Sequence, residues 1–492
     1  MNLLDSQPEA TKISNVKPPH LNVTVESVVK VRGKVVARGE HANPNLATGE
    51  IEVLVEDMEV VSAAEDLPFQ FEEKKVQKVS ENALMRHRHL HFRRPAVQRI
   101  FRLRSQMLQK MRGFLSEDCD FVEIETPYLF RSTPGGAAEF PVPSGQFMGS
   151  FYSLPQSPQQ FKQLLMVGGF DRYFQITRCF RDENIRSERQ PEFTQLDLEL
   201  SFTNKEYIME LVESVICVSW PENDEILLEK KPQFPFPKMT YADAMRRFGT
   251  DRPDLRYGLE LIDLTEYCTT SPPMMEALER AYNPAIQAIL VPKGREILTN
   301  SVWDQWNTEI GAKFGDEHAT FTIARDKILP YPAKMGKYIS EEILKREWDD
   351  AVIISWGELD RSLIYGPKPE DAIAQHYDLV LNGVELGGGS IRLHDPLEQQ
   401  HVLEDVLHIE PKELQHMLDA FKCGAPSHGG FALGLDRYLA TILGTNSIRD
   451  VIAFPKTKEG KCLLSGAPTE LPQSELLKRY GLKSVINGDQ NK

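Results

Sequence analysis

Residues Tyr173–Phe202 read YFQITRCFRDENIRSERQPEFTQLDLELSF. The first part alternates around Phe174, Ile176 and Phe180. In the last part Phe193, Gln195, Asp197 and Glu199 share one parity, and Leu196, Leu198 and Leu200 share the other. A period of two makes strands with one apolar and one polar face. The charged loop 182–190, closed by Pro191, lies between them, so the stretch predicts an antiparallel hairpin with a mobile, basic tip. Its polar face carries acids and amides, with Arg181 at the end of the facing strand. Charges taken out of water need partners. Such a face is either solvated and laced by surface ion pairs, or the floor of a binding site.

A chain of 492 residues has room for roughly three domains. With 41% hydrophobic and 26% charged residues it reads as a soluble globular protein. No apolar run approaches the ~20 residues of a membrane helix, so no membrane association is expected. The net charge of −15 argues against a general nucleic-acid coat but leaves room for a local basic face. Six cysteines are scattered without a CxxC pair, as expected of incidental thiols in a reducing compartment. The start, MNLLDSQPEATKISNV, has neither the apolar core of a signal peptide nor the basic character of a transit peptide.

Residues 1–20 are polar and predicted to be disordered. Strand-like runs follow from Val23 to Val61, joined by a turn holding Asn43-Pro44 and Thr48-Gly49. The linker 62–92 ends in MRHRHLHFRRP; His87, His89 and His91 would align on an extended chain, but a solvated basic hinge is the better reading. Pro95–Ser116 predicts an amphipathic helix through Val97, Ile100, Phe101, Met107, Leu108, Met111, Phe114 and Leu115. A helix from about Ser157-Pro158 should bury Phe161, Leu164 and Leu165, with Gln159 and Lys162 sharing an edge. From about Gly258 to Trp356 the pattern is mixed, with strands AIQAILVP and DDAVIISW and a helix SEEILKRE. An Asn-Gly turn at 382–383 predicts a hairpin that brings Asp378 and Glu385 together. Paired carboxylates of this kind suit Mg²⁺. Gly387, Gly388 and Gly389 permit close approach of a ligand.

FRDE, a basic loop and RQPEFTQLDLE resemble motif 2 of class II aminoacyl-tRNA synthetases, in the form found in aspartyl-tRNA synthetases of the bacterial and mitochondrial type. The resemblance extends to the helix–strand–proline pattern of motif 1 (through FVEIETPYL), to PQQFKQLLMVGG, to GVELGGGSIR and to motif 3 in GGFALGLDR. It implies an α+β fold: an antiparallel sheet flanked by helices, preceded by a partial OB-type β-barrel and interrupted by an inserted α/β module. The implied organisation is 1–65 partial anticodon-binding barrel, 66–92 hinge, 93–257 catalytic domain, 258–357 inserted domain, 358–465 catalytic domain and 466–492 exposed extension. Motif 1 implies a homodimer.

The implied activity is ATP-dependent activation of L-aspartate and its transfer to tRNA(Asp). Arg181 would bridge the carboxylate and the α-phosphate; Glu385 and Arg437 complete the catalytic set. Aspartate would be held by Gly135, Gln159, Lys162, Arg181, Gln195, Asp197 and Arg392. ATP would be held by Arg181, Asp182, Glu183, Gln190, Phe193, Glu385, Gly434, Leu435, Asp436 and Arg437, with Phe193 and Arg437 sandwiching adenine. Asp378 and Glu385 would carry Mg²⁺. Many relatives have Glu where Gly135 stands, and Glu139 is the nearby substitute. Two departures stand out. The front strands of the barrel have no counterpart, so tRNA affinity is expected to fall below that of a full-length relative. A segment with a histidine loop is absent between Trp356 and the GGGSIR string. These departures leave a second reading, an impaired isoform that partners a complete subunit. Resemblance to mitochondrial members implies the mitochondrial matrix.

Overall fold

The computed structural model describes residues 23–44, 48–71, 73–222, 224–263, 374–445, 447–470 and 472–482, and between 264 and 373 little beyond four strands. It divides into two compact units, Met1–Arg94 and Pro95–Lys492.

In the first unit β1 (Val28–Ala37) and β2 (Ile51–Ser62) form an antiparallel ribbon, the only sheet there among the described residues. A register shift falls at Arg32/Gly33, and a Cβ on Gly33 would lie 2.0 Å from the Leu54 carbonyl oxygen. The barrel expected from the resemblance is therefore represented, among these residues, by two paired strands. The stretch read as a solvated hinge is folded. Ser80 caps the helix Glu81–Arg86, the turn Arg88–His91 follows, and Phe69, Val76 and Leu90 make a small core. Arg88 and His91 are buried, with the His91 ring flanked by Arg88 at 2.8 Å and Arg94 at 3.0 Å. The His87 and His89 rings meet edge to face with centroids 6.2 Å apart, while the His91 ring is held by the two arginines. Among the described residues no group of three or more His, Cys, Asp or Glu side chains could hold a metal ion.

The second unit begins with the helix Pro95–Gly113, which buries Val97, Leu103, Met107 and Met111 and ends in a wider turn, Phe114–Asp118, that buries Leu115. Then come β3 (Val122–Glu123), the small hairpin of β4 (Pro141–Pro143) and β5 (Phe151–Ser153), the helix Gln159–Val167, and β6 (Arg172–Phe180) with β7 (Glu192–Ser201). The predicted hairpin is present, but its tip is pinned: Ile448 N and Ser447 Oγ both donate to the Ser187 carbonyl. The helix Lys205–Ser219 starts at an Asn204 cap. Farther along, β8 (Leu261–Asp263), β9 (Pro284–Val291), β10 (His318–Ala324), β11 (Lys327–Ile328) and β12 (Ala351–Glu358) pair in the order β11-β10-β12-β9-β8. The predicted strands are there; the predicted helix SEEILKRE lies outside the described residues.

The chain returns as β13 (His376–Leu381), β14 (Val384–Ile391) and β15 (His428–Gly434), followed by the helix Leu435–Leu443. The main sheet has the order β13-β14-β15-β7-β6-β3, antiparallel except for β3 beside β6. Its apolar face presents Phe174, Leu196, Leu198, Leu200, Phe431 and Leu433 to Met107, Met111, Ile208 and Val215 of the covering helices. This leucine parity is the one read from the sequence. The tail is not simply exposed: a helix Gln473–Tyr480 lies against the turn of β4–β5, where Gly149 N donates to the Tyr480 carbonyl at 3.3 Å.

Candidate active site

Residues directly opposite each other in an antiparallel sheet share a face, so the register alone lays out the other side of the sheet. One row runs Asp378, Gly388, Ala432, Asp197, Gln175. The next runs His376, Ser390, Gly430, Glu199, Tyr173, and a third contains Gly434, Gln195 and Thr177. Functional groups sit at the edges of these rows and small residues in the middle. A Cβ on Gly430 would lie 2.0 Å from Glu199 Oε2, and one on Gly388 would lie 2.3 Å from Asp378 Oδ1.

The part of this floor on β7 is ionic and almost fully buried. Lys162 Nζ lies 3.2 Å from Asp197 Oδ1 and 3.2 Å from Glu199 Oε2. Arg392 Nε donates to Glu199 Oε1 at 3.0 Å, and its NH1 donates to Ser390 Oγ at 2.8 Å. Lys162 reaches the floor because the helix Gln159–Val167 buries Gln160, Lys162 and Met166, while Phe161, Leu164 and Leu165 are only half-buried. The face expected to be apolar is not the one turned inward. Burial pushes the Glu199 carboxyl up, but Lys162 and Arg392 outweigh it and hold it below its ordinary value. Burial wins at Asp197, which is raised despite Lys162. Asp197 Oδ2 is buried without a hydrogen-bond partner among the described residues. A carboxylate oxygen left unmatched beside a paired one is a place for a ligand donor, and a substrate ammonium fits it.

Gln195 is oriented by its neighbour across the hairpin. The Cys179 thiol, pushed well up by burial, donates to Gln195 Oε1 at 3.0 Å. On the same face, one row beyond Glu199, His428 lies opposite Ser201 and is fully buried, with Nδ1 2.8 Å from the Pro426 carbonyl and Nε2 3.0 Å from Gln163 Nε2. The carbonyl can only accept, so Nδ1 carries the proton and Nε2 accepts from Gln163.

Phe193 lies about 20 Å along β7 from Glu199 and Arg392, at the end of the sheet where Arg181, Gly434 and Arg437 gather. The Arg181 guanidinium stands over the Phe193 ring, 5.2 Å from its centroid. Its Nε is buried without a partner among the described residues. Arg437 NH1 donates to the Glu385 carbonyl at 2.7 Å. One face of the Phe193 ring is therefore covered by Arg181.

The acid pair forms through a register change. Asp378 is opposite Gly388 and Leu379 opposite Gly387, but Val380 is opposite Glu385. Val380 shares a face with Asp378, so the bulge turns Glu385 onto that face. Without it Glu385 would point to the other side. Asn382 and Gly383, at φ of 54° and 75°, make the predicted turn. Burial, then the nearby Glu385, raise the Asp378 carboxyl.

Several expected ligand groups are otherwise engaged. Both Asp436 oxygens are taken, one by Arg104 NH1 at 2.5 Å and one by Thr194 N at 2.7 Å, so this buried acid ties the helix start to β7. The Leu435 side chain lies in the core. Gln190 uses its amide on Lys456, accepting from N at 2.8 Å and donating to O at 3.2 Å. Glu183 pairs with Arg189 at 3.0 Å, and Asp182 N donates to the Ala138 carbonyl at 2.8 Å. Gln159 is half-buried at the start of its helix. Gly135 has φ of 77°, and Glu139 accepts from Thr133 N at 3.1 Å and from Gln156 Nε2 at 3.3 Å, lacing the loop. Glu199, Cys179, His428 and Arg104 were not assigned from the sequence. The parity of Tyr173, Gln175, Thr177 and Cys179 was legible there and marks them as floor residues.

A family model described as tRNA synthetases class II (D, K and N) matches residues 80–458. The chain belongs to this family of class II tRNA synthetases. It is 38% identical over 551 residues to the mitochondrial aspartate–tRNA ligase of Rattus norvegicus, covering 95% of this chain and 82% of that protein. It is 38% identical to the aspartate–tRNA(Asp/Asn) ligase of Cyanothece sp., covering 96% of this chain and 89% of the relative. An alignment of 551 positions is longer than the chain's 492 residues, so the rat protein carries stretches with no counterpart here. Among solved structures, the asparaginyl-tRNA synthetase of Pyrococcus horikoshii, complexed with asparaginyl-adenylate, superposes with a TM-score of 0.54 at 22% identity, covering 88% of this chain and 84% of that one. That likeness concerns the fold.

Proposed function

We infer that the chain is an aspartate–tRNA ligase, which joins L-aspartate to ATP as aspartyl-adenylate and then passes the aspartyl group to tRNA(Asp). The observation that carries this is the buried floor, where Lys162 and Arg392 converge beside the unmatched Asp197 Oδ2. A substrate with two carboxylates and an ammonium complements it. The β-carboxylate meets Lys162 and Arg392, the ammonium meets Asp197 and Gln195, and the α-carboxylate extends toward Arg181. An amide in place of the β-carboxylate would leave those cations poorly matched, which is the physical basis for rejecting asparagine.

Attack of the α-carboxylate on the α-phosphorus expels pyrophosphate. Catalysis is then positioning together with cationic stabilisation. Arg181 moves its guanidinium from the Phe193 ring to the carboxylate and α-phosphate, and adenine enters between Phe193 and Arg437. Mg²⁺ fits the pair Asp378 and Glu385: two acids on one face raise each other's need for a cation, and the remaining oxygen ligands would come from phosphate and water. When bound, it supplies charge neutralisation for the phosphates.

The chain works as a homodimer through the motif 1 helix, in the mitochondrial matrix, by analogy with the relatives of that name. The impaired-isoform reading is not favoured, because relatives named as ligases match 95% of this chain. Aspartate-dependent ATP–pyrophosphate exchange tests the proposal. Exchange with aspartate and not with asparagine is expected, and no exchange with either would overturn it.

A further inference from the structure

The run Phe248–Tyr257, FGTDRPDLRY, belongs to none of the elements that build the floor. It is nevertheless a shaped turn. The helix Tyr241–Phe248 stops at Gly249, whose φ is 66°, and Thr250 Oγ1 then accepts from Arg252 N at 3.2 Å. Asp254 accepts from Arg256 N at 3.1 Å and Arg256 Nε at 2.9 Å. This turn packs on the tip of the β13–β14 hairpin, where a Cβ on Gly383 would lie 3.3 Å from Asp254 Cβ and 3.8 Å from the Arg252 carbonyl.

The packing brings Arg252 to the acid pair from outside the sheet. Its NH1 lies 3.8 Å from Glu385 Oε2, beyond hydrogen-bond reach, and its Nε 3.3 Å from Asp251 Oδ1. Glu385 thus stands between two guanidiniums, its carboxylate toward Arg252 and its carbonyl holding Arg437. Arg189 and Arg252 are both among the charges that act on Arg437. Arg189 is paired with Glu183 and Arg252 with Asp251, yet each fork keeps further N–H donors, and three guanidiniums from separate elements suit an anion carrying several charges. The Arg252 side chain is 49% exposed, so its fork is free to turn onto a ligand.

We infer that Arg252 binds the β- and γ-phosphates of the nucleotide and the pyrophosphate that leaves. This rests on the ligase reading above for the identity of the nucleotide. The competing role is a brace that only neutralises Glu385 and holds the hairpin.

The test compares wild type, Arg252→Ala and Arg252→Lys by calorimetric titration with AMP, with Mg-ATP and with pyrophosphate. Loss of one charge-assisted contact predicts a rise in Kd of about ten- to a hundredfold for ATP and pyrophosphate in Arg252→Ala. AMP binding and the KM for aspartate stay unchanged, and Arg252→Lys lies between. Equal weakening of AMP and ATP, or no weakening of either, overturns the inference. Absence of aspartate-dependent exchange in the wild type would instead overturn the ligase reading, while the ATP-to-AMP contrast still reports on Arg252.

Discussion

Lys162 and Asp197 form an ion pair of 3.2 Å in which the two side chains expose 1% and 0% of their surface. One oxygen of the acid stays unmatched among the described residues. The pair is thus both a structural element and an incomplete one. Asp197→Asn removes the charge that the substrate ammonium needs. The KM for aspartate should rise about ten- to a hundredfold, as expected for a hydrogen bond between charged groups, while the KM for ATP changes little. Equal changes in both constants would argue against this placement of the ammonium.

Lys162→Met leaves Asp197 and Glu199 buried with Arg392 as the remaining cation paired to them among the described residues. Breaking a buried pair by removing one partner costs about 3–5 kcal/mol. A clear drop in the urea midpoint is expected. Arg392→Lys behaves differently, because the lysine keeps the charge. It loses the fork that holds Glu199 and Ser390, so aspartate activation should fall far more than stability. Unchanged pyrophosphate exchange in Arg392→Lys would remove this residue from the site.

Gly430→Ala places a Cβ 2.0 Å from Glu199 Oε2 and 2.2 Å from the Leu198 carbonyl oxygen. The backbone contact cannot be relieved by a rotamer change, and the acid cannot move without leaving Lys162 and Arg392. Both stability and exchange activity should fall sharply, and wild-type exchange in the variant would show that the floor tolerates the shift.

His428 gives a pH dependence with a definite sign. Burial lowers it from its ordinary value of 6.5, so below that pH the unfolded chain binds a proton the folded chain does not. The stability linked to His428 is present above 6.5 and is lost as the pH falls toward the depressed folded value. His416, also lowered by burial, adds in the same direction. The melting temperature should rise between pH 5.5 and 7.5, about as expected for histidine titration. The rise should be shallower in the double variant His416→Gln, His428→Gln; the same slope in that variant would assign it to other groups.

The hairpin, its leucine face and its ionic face were readable because period-two alternation is local. The helix Gln159–Val167 was harder. Its apolar residues suggested an inward face of Phe161 and Leu164, yet the sheet offers acids, and tertiary charge complementarity turned Lys162 inward instead. Asp436 was assigned to ATP by the resemblance alone. Its partners, Arg104 and Thr194, come from distant parts of the chain, and no local pattern announces them. Glu385 was placed beside Asp378 for an incomplete reason. The Asn-Gly turn closes the hairpin, but the bulge at Leu379/Val380 decides which way the acid points.

The alternation along β6 and β7 has a consequence for how the gene can change. Inserting or deleting one codon early in β7 would exchange its two sides, driving Leu196 and Leu198 toward the ligand and Asp197 and Glu199 into the greasy interior, and the same change in β6 would turn Phe174 outward. Length in these strands is therefore frozen more tightly than any single residue, and drift in this segment must proceed by replacement alone.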